Sequence, residues 1–300
     1  MDRRTVVIGS INYDIIIKQD RLPKIGETIS ANSVSMSGGG KGANQAVQCA
    51  KLGLDTHMIG KVGNDHFGDE LLNGLEKYHV HTNFIKKADT NSGLGFVNSF
   101  PDGRLLSTIE KGANYKLQIK DIQDAVSIIK EASIVVIQLE IPIKVAEYAI
   151  QLGKKHGCYI ILNAAPSVPI SADVLKLVDC FVVNEAEASY YAGTEIETAE
   201  QALAASDLLQ NMVAHLVCIT LGEKGSVLFD GKEKQYFPAE KVDVIETTGA
   251  GDSYIGGIAY SVLNNFLINE MGKFASKVSS KTVTNIGAHE AMPSLEEVIM

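Results

Sequence analysis

The chain reads Ile134-Val135-Val136-Ile137-Gln138-Leu139 near its middle, a run of mostly apolar residues without polar alternation. Similar short runs recur at residues 6–8, 159–162, 181–183 and 216–219. Because a strand with one wet face alternates apolar and polar side chains, these runs predict strands that are buried on both faces. The segments 144–156 and 199–213 show helical spacing and are long enough for crossover connections. The fold class expected is therefore α/β, doubly wound, with a mainly parallel central sheet covered by helices on both faces.

Polar or small residues follow each of these runs. They are Gly9 to Asn12, then Glu140, Asn163, Asn184 with Glu185, and Thr220 to Gly222. In open α/β sheets, ligands bind beyond the carboxyl ends of the strands, so we expect these residues to converge on a single cleft.

Two segments depart from the buried-strand pattern. Residues 33–37 alternate strictly, and residues 94–100 and 105–109 flank a Pro101-Asp102-Gly103 turn that predicts a hairpin. Both segments are interpreted as a small β-sheet lid, formed by insertions at about 13–37 and 92–112 in a single α/β domain of residues 1–300. An apolar lid face without its own cover would close on a ligand or pair with a second subunit, which favours a homodimer.

The composition limits the classes of function. The 300 residues carry a net charge of -9 and the pI is near 5.3, which disfavours a nucleic-acid surface or an anionic membrane as partner. The N-terminal apolar run is too short for a signal peptide and no membrane-spanning stretch is visible, so a cytoplasmic location is expected. The four cysteines lie far apart, which predicts reduced thiols, and His79 and His81 are interpreted as solvated side chains.

Phosphate chemistry is suggested by Glu246-Thr247-Thr248-Gly249-Ala250-Gly251-Asp252. Gly249 and Gly251 let the backbone approach a ligand closely, and the first N–H groups of a following helix attract anions. Asp252 could take a proton from a hydroxyl beside that anion hole, or it could simply cap the helix.

A second glycine-rich segment is Ser37-Gly38-Gly39-Gly40-Lys41-Gly42-Ala43-Asn44-Gln45-Ala46. It fits neither the P-loop pattern nor G-x-G-x-x-G, which lowers support for the familiar nucleotide-binding loops. Lys41 and Asn44 supply donors that suit a small polyhydroxylated ligand, although an ordinary glycine turn with a solvated lysine would look similar.

Taken in order, these segments resemble the ribokinase-like sugar kinases. The resemblance is carried by the following segments: 9–14, 39–46, 138–140, 184–187, 220–222 and 249–252. It runs from residue 9 to about residue 293. Gly249-Ala250-Gly251-Asp252 is shared by the whole family, whereas Gly39 to Gln45 is typical of a narrower group within it.

The resemblance implies a role for each matching residue. It implies that the sugar hydroxyls are bound by Asn12, Asp14, Gly40, Lys41, Asn44, Glu140 and Asp252. It implies that the nucleotide is bound by Asn184, Thr220, Gly222, Gly225 and Gly251. It further implies that Asn184 and Glu187 hold Mg²⁺ through water. Asp252 would be the general base, and Gly249, Ala250 and Gly251 would form the anion hole.

Two positions depart from the family pattern at a site for a monovalent cation, which the resemblance assigns to Glu246 and Thr248. Glu246 stands where the family usually has Asp. Ala291 stands where a Gly-Ala-x-Pro-Ser pattern ends in serine. We therefore expect activation by K⁺ to be weak or altered.

The activity implied is transfer of the ATP γ-phosphoryl group to the primary 5-hydroxyl of D-ribose. Arg104 and Lys111 in the expected lid could instead serve a sugar phosphate. Another sugar or a nucleoside also remains an alternative substrate. A non-catalytic sugar-binding regulator is the alternative from a different class, because a fold does not prove an activity.

Overall fold

The structure is a computed structural model that describes residues 4–101 and 104–300. The strands of the described chain are β1 Arg4–Ile8, β2 Asn12–Lys18, β3 Ser33–Gly39, β4 Asp55–Gly63, β5 His81–Ala88, β6 Gly93–Ser99, β7 Leu105–Glu110, β8 Ile134–Gln138, β9 Tyr159–Asn163, β10 Cys180–Asn184, β11 Leu216–Thr220, β12 Ser226–Phe229 and β13 Lys234–Phe237. The helices are α1 Lys41–Lys51, α2 His66–Lys77, α3 Ile119–Asp124, α4 Val126–Glu131, α5 Ile143–Lys155, α6 Ala172–Leu175, α7 Glu185–Ala192, α8 Ala199–Gln210, α9 Ala250–Leu263, α10 Ile268–Thr282 and α11 Leu295–Ile299. Short 3-10 turns cover Gly112–Lys116 and Gly222–Lys224.

Nine strands form the central sheet, in the order β13-β12-β11-β10-β9-β8-β1-β4-β5. The seven strands from β11 to β5 pair in parallel. The β11-β12-β13 end of the sheet is antiparallel. The predicted fold class, a mainly parallel sheet in an α/β fold, is therefore confirmed.

Consecutive residues of the central strands enter two different cores. In β1, Val6 and Ile8 belong to one apolar cluster, which includes residues of α4, α5 and α8. Val7, between them, belongs to the other, which includes residues of α1, α9 and α10. Since alternate side chains of a strand point to opposite faces, both faces of the sheet are covered. This double burial explains why the strands read as unbroken apolar runs.

A separate four-stranded sheet, called the small sheet below, has the order β3-β2-β6-β7. Strand β2 pairs antiparallel with β3 and parallel with β6, and β6 and β7 form the expected antiparallel pair. Asp102 and Gly103 of the expected turn lie outside the described residues. Val34 and Met36 are 54% and 56% exposed, so the apolar side of β3 is uncovered.

The four cysteines lie in the interior of the structure. Cys49, Cys158, Cys180 and Cys218 are all buried free thiols. Among the described residues, no helix is both long enough and apolar enough to cross a membrane.

Two glycines with open space around them allow a test of backbone strain. An added methyl group at Gly74, inside α2, or at Gly53, after α1, would meet no atom within 4 Å, but Gly53 has a φ of +81°. We expect Gly74→Ala to stabilise the protein by about 0.5–1 kcal/mol. Gly53→Ala should destabilise it by about 1–2 kcal/mol, because the left-handed backbone strains any Cβ. Equilibrium urea unfolding of both variants measures the difference, and equal effects would contradict it.

Candidate active site

Asp252 lies in the first turn of α9 and is 8% exposed. Gly249 precedes the helix with a left-handed φ of 77°, a backbone that favours glycine. The Asn44 amide donates to Asp252 Oδ2 at 2.8 Å, and the Gln45 amide donates to Asp252 Oδ1 at 2.8 Å. Each carboxylate oxygen thus accepts a hydrogen bond at a helix N-terminus, where negative charge is favoured.

Gln45 is held in turn by two side chains from the central sheet. Its amide nitrogen also donates to Asn163 Oδ1 at 3.2 Å. Its amide oxygen accepts a short hydrogen bond from the Gln138 amide. The orientation of the Gln45 amide is therefore set from both ends, which fixes the donor that faces Asp252.

Glu140 follows β8 and lies next to the start of α1. Its Oε2 accepts from Ser10 Oγ at 2.6 Å and from the backbone N–H of Lys41 at 3.4 Å. Glu140 is half-buried. The Glu140 carboxylate, which follows β8, is thus hydrogen-bonded both to the loop after β1 and to the glycine-rich segment at the start of α1.

Asp14 projects from β2 across the small sheet between two glycines. A methyl group added at Gly39 on β3, or at Gly95 on β6, would lie 2.0 Å or 2.2 Å from an Asp14 carboxylate oxygen. Burial is the main reason that the pKa of Asp14 is raised to about 6, and the charges of Glu140 and Asp252 add to it. Lys41 acts in the opposite direction. The carboxylate therefore belongs electrostatically to the same cluster as Asp252.

Asn12 is 2% exposed, and its Oδ1 accepts from the Asn114 amide at 2.7 Å. Asn114 also accepts from the backbone N–H of Ile11 at 2.8 Å through Oδ1. A methyl group at Gly93 would lie 2.4 Å from Asn12 Oδ1. The side-chain oxygen of Asn12 is thus engaged by the protein, whichever ligand role its amide has.

Lys41 brings a positive charge to the start of α1. Burial opposes that charge, but the surrounding carboxylates outweigh the effect of burial and raise the pKa of Lys41. These carboxylates are Asp252, Glu140, Glu187 and Asp14. The charge of one ammonium group is therefore influenced by four acidic side chains from four different segments.

A cavity of about 240 Å³ opens beside this cluster. Many of the residues that line it were singled out from the sequence. They are Lys41, Asn163, Asn184, Glu187, Thr220, Gly249, Ala250, Gly251 and Asp252. The expected convergence of strand ends on one cleft is thus observed for β9, β10 and β11. Gly222 and Gly225 form the turn after Thr220 with φ of 54° and 99°, outside this lining.

Asn184 and Glu187 form a reciprocal cap at the start of α7. The Asn184 backbone N–H donates to Glu187 Oε2 at 2.9 Å, and the Glu187 N–H donates to Asn184 Oδ1 at 2.9 Å. Burial raises the pKa of Glu187, although that backbone hydrogen bond and the charge of Lys41 both lower it. A buried carboxylate at the cavity wall is an oxygen ligand of the kind that Mg²⁺ prefers.

The C-terminal loop 287–292 lies against the Gly249 segment. Glu246 Oε2 accepts from the Gly287 N–H at 3.2 Å, and Met292 Cε lies 3.3 Å from where a Gly249 Cβ would be. Lys51 Nζ donates to the carbonyl oxygens of His289 at 2.7 Å and Met292 at 2.6 Å. The loop that carries Ala291 is therefore fastened to both α1 and the segment before α9.

Several residues that position the site were not assigned a role from the sequence. They are Ser10, Gln45, Gly95, Asn114 and Asn163. Ser10, Gln45 and Asn163 already stood in motifs or at strand ends, which was a usable signal. Gly95 and Asn114 became visible only through the strand pairing and the turn at Gly112–Lys116.

Comparisons with known proteins agree over nearly the whole chain. Residues 2–295 match the family described as pfkB family carbohydrate kinase. A deoxyribokinase of Salmonella typhi is 35% identical over 295 residues, covering 97% of this chain and 96% of that protein. A ribokinase of Staphylococcus aureus is 34% identical over 302 residues, covering 99% of both. The structure of Arabidopsis thaliana ribokinase complexed with ribose and ATP is 32% identical with a TM-score of 0.90, covering 100% of this chain and 98% of that one. The chain is therefore a kinase that belongs to the pfkB family of carbohydrate kinases.

Proposed function

We propose that this kinase transfers the γ-phosphoryl group of ATP to the primary 5-hydroxyl of D-ribose, with Asp252 as the general base. The observation that carries the proposal is the Asp252 carboxylate, held by Asn44 and Gln45 at the wall of the cavity that Gly249 to Gly251 also line. The Arabidopsis ribokinase bound to ribose and ATP supports the choice of both substrates.

The residues divide the chemistry between them. Asp252 accepts the proton of the sugar hydroxyl, and the N–H groups at the start of α9 stabilise charge on the transferring group. Lys41, Asn44, Asp14 and Glu140 offer donors and acceptors for the other hydroxyls, with Asn12 and Gly40 beside them. Such a site rejects analogues that leave its polar groups unpaired.

Glu187 and Asn184 fit a magnesium ion held through water, because the buried Glu187 carboxylate faces the same cavity as Asp252. When bound, Mg²⁺ neutralises charge on the nucleotide phosphates. Thr220, Gly222 and Gly225 are proposed to lie along the nucleotide. The residues of this chain then act mainly by positioning the two substrates and by excluding water.

Release of ADP with a panel of pentoses, hexose phosphates and nucleosides tests this function. Turnover with ribose well above that with nucleosides and sugar phosphates is the expected result. No ADP release with any member of the panel, together with measurable sugar binding, would favour a sugar-binding regulator instead.

Deoxyribose is the second candidate substrate, because the deoxyribokinase of Salmonella typhi matches this chain as closely as the ribokinases do. The two pentoses differ only in the 2-hydroxyl. A site that hydrogen-bonds this hydroxyl has lower affinity for the deoxy sugar, because the buried protein group that pairs with the hydroxyl is left without a hydrogen bond. The ratio of kcat/KM for the two sugars, measured in one mixture, decides between them.

The raised pKa of Asp14 predicts how sugar use depends on pH. Below about pH 6 the Asp14 carboxyl of the free enzyme becomes protonated, so it loses its charge and an acceptor. We expect kcat/KM for the sugar to fall by about tenfold per pH unit below that value. Asp14→Asn should lower kcat/KM and also remove this limb of the profile. A wild-type profile that stays flat down to pH 5 would contradict the prediction.

Activation by a monovalent cation is proposed to be weak. Glu246 already accepts a hydrogen bond from the C-terminal loop, and Ala291 is 2% exposed with no hydroxyl to offer. We expect similar rates when K⁺ is titrated against Na⁺ at constant ionic strength. Strong and saturable stimulation by K⁺ alone would show that Glu246 and Thr248 still complete a cation site.

The uncovered side of the small sheet is proposed to pair with a second copy of the chain. Strand register places six apolar side chains on the side of the small sheet opposite Asp14. They are Ile15, Ile17, Val34, Met36, Phe96 and Leu106. Val34, Met36 and Leu106 are about half exposed. Light scattering should give a dimer mass for the wild type and a monomer mass for Met36→Asp.

A further inference from the structure

Three potential metal ligands meet at the end of the sheet opposite the candidate active site. Asp55 begins β4, His57 follows two residues later, and His81 begins β5, whereas Asp252 lies beyond the carboxyl ends of the strands. The Asp55 Oδ1 atom lies 3.3 Å from His57 Nε2 and 3.2 Å from His81 Nε2. All three candidate ligand atoms lie within 4.8 Å of one another.

The two spacings from Asp55 fit a tetrahedral ion. Zinc binds imidazole nitrogen and carboxylate oxygen at about 2.0–2.2 Å, so two ligand atoms of one tetrahedron lie roughly 3.3 Å apart. The two measured distances from Asp55 to His57 and to His81 equal that edge.

The backbone holds the two imidazoles together. His57 and His81 are register partners on neighbouring parallel strands. Their ring centroids lie 4.3 Å apart with an interplanar angle of 20°, so the exposed His81 ring must turn for both Nε2 atoms to face one ion. The His57 side chain is only 14% exposed, so its position is fixed by packing.

Asp55 is also oriented by its neighbours. Arg4 Nε donates to the other carboxylate oxygen, Oδ2, at 2.9 Å, which leaves Oδ1 directed at the two histidines. Arg4 is itself paired with Glu131. A hydrogen-bonded partner on the free oxygen of a ligating carboxylate is the usual arrangement around bound metals.

We infer that Asp55, His57 and His81 bind a divalent transition-metal ion of the zinc class, with the remaining position open to solvent. Two imidazoles and one carboxylate favour Zn²⁺ over Mg²⁺, which prefers oxygen ligands alone. The His81 side chain is 52% exposed, which gives the ion an entry path. Since β5 is the edge strand of the nine-stranded sheet, the ion would fasten this edge to β4.

Zinc binding to the purified full-length protein tests the inference. Competition with a chromophoric chelator, in excess Mg²⁺ to saturate carboxylate sites, should show one tight Zn²⁺ per chain. His81→Ala should weaken that binding by at least about tenfold. His66→Ala is the matched control, because His66 is also close to a carboxylate, Glu70 at 3.2 Å, but among the described residues it belongs to no cluster of three metal ligands. It should bind Zn²⁺ as the wild type does.

A spectroscopic readout separates this site from the kinase centre. Co²⁺ in the wild type should give the intense visible bands of a tetrahedral ion, and His81→Ala should lose them while keeping its Mg²⁺-dependent kinase rate. Asp55→Asn provides a second variant at a ligand with the same shape. The inference is overturned if the wild type binds no Zn²⁺, or if both variants bind it with unchanged affinity.

Discussion

Replacing Asp252 with Asn is expected to lower kcat by about 10²–10⁴-fold, with KM for ATP little changed. The variant keeps the size of the side chain but loses the base. In the wild type, the amides of Asn44 and Gln45 each donate a hydrogen bond to the Asp252 carboxylate. The new side-chain amide at position 252 has only one oxygen, so its NH2 group must face one of these two donors. Steady-state rates of ADP formation with saturating sugar measure the effect.

A matched control separates two effects of Asp252→Asn, which are the loss of the proposed base and the loss of a negative charge at the start of a helix. Asp69 lies in the first turn of α2, as Asp252 does in α9, and it pairs with Lys87 on the surface. Asp69→Asn should leave kcat unchanged. Turnover of Asp252→Asn close to that of the control would remove Asp252 as the general base.

The central sheet was predictable because its strands are buried on both faces. Double burial leaves an unbroken apolar run, such as Ile134 to Ile137, that needs no knowledge of distant partners. The small sheet was predicted from alternation in residues 33–37, but the environment of its apolar side was not. Val34 and Met36 are more than half exposed, and alternation alone does not say what packs against the apolar side of a strand.

The candidate site was predictable where its residues occur in short motifs. The residues of 249–252 and of 40–44 are close together in the sequence, so their spacing can be recognised without knowledge of the fold. Contacts between residues far apart in sequence were not predictable, because a single glutamine or asparagine has no distinctive pattern. Gln45 reaches Asp252 across 207 positions, and Asn114 reaches Asn12 across 102. Such side chains reach the candidate catalytic residues only after the sheet has brought them together.

Replacing Lys41 with Met is the second change with a large expected effect. The ammonium lowers the pKa of Asp14 and of Glu187, and methionine removes the charge while keeping most of the volume. The pKa of both carboxyls should therefore rise. The acidic limb of kcat/KM for the sugar, expected near pH 6, should move up by about 1–3 pH units.

At pH 7 the Lys41→Met variant should show a kcat/KM lower by about 10²-fold, because part of the enzyme is protonated and a charged donor to the sugar is lost. Lys41→Arg keeps the charge, so its limb should stay near pH 6 even if its kcat/KM falls through altered shape. A limb at the same pH in the Met and Arg variants would show that the ammonium does not control the ionisation of Asp14. If the kcat/KM of Lys41→Met were lower than that of the wild type at every pH but had the same pH dependence, Lys41 would act only as a hydrogen-bond donor. A shifted limb would establish that the charge of Lys41 keeps the Asp14 carboxyl ionised near neutral pH, in a cleft where the same charge also lowers the pKa of Glu187.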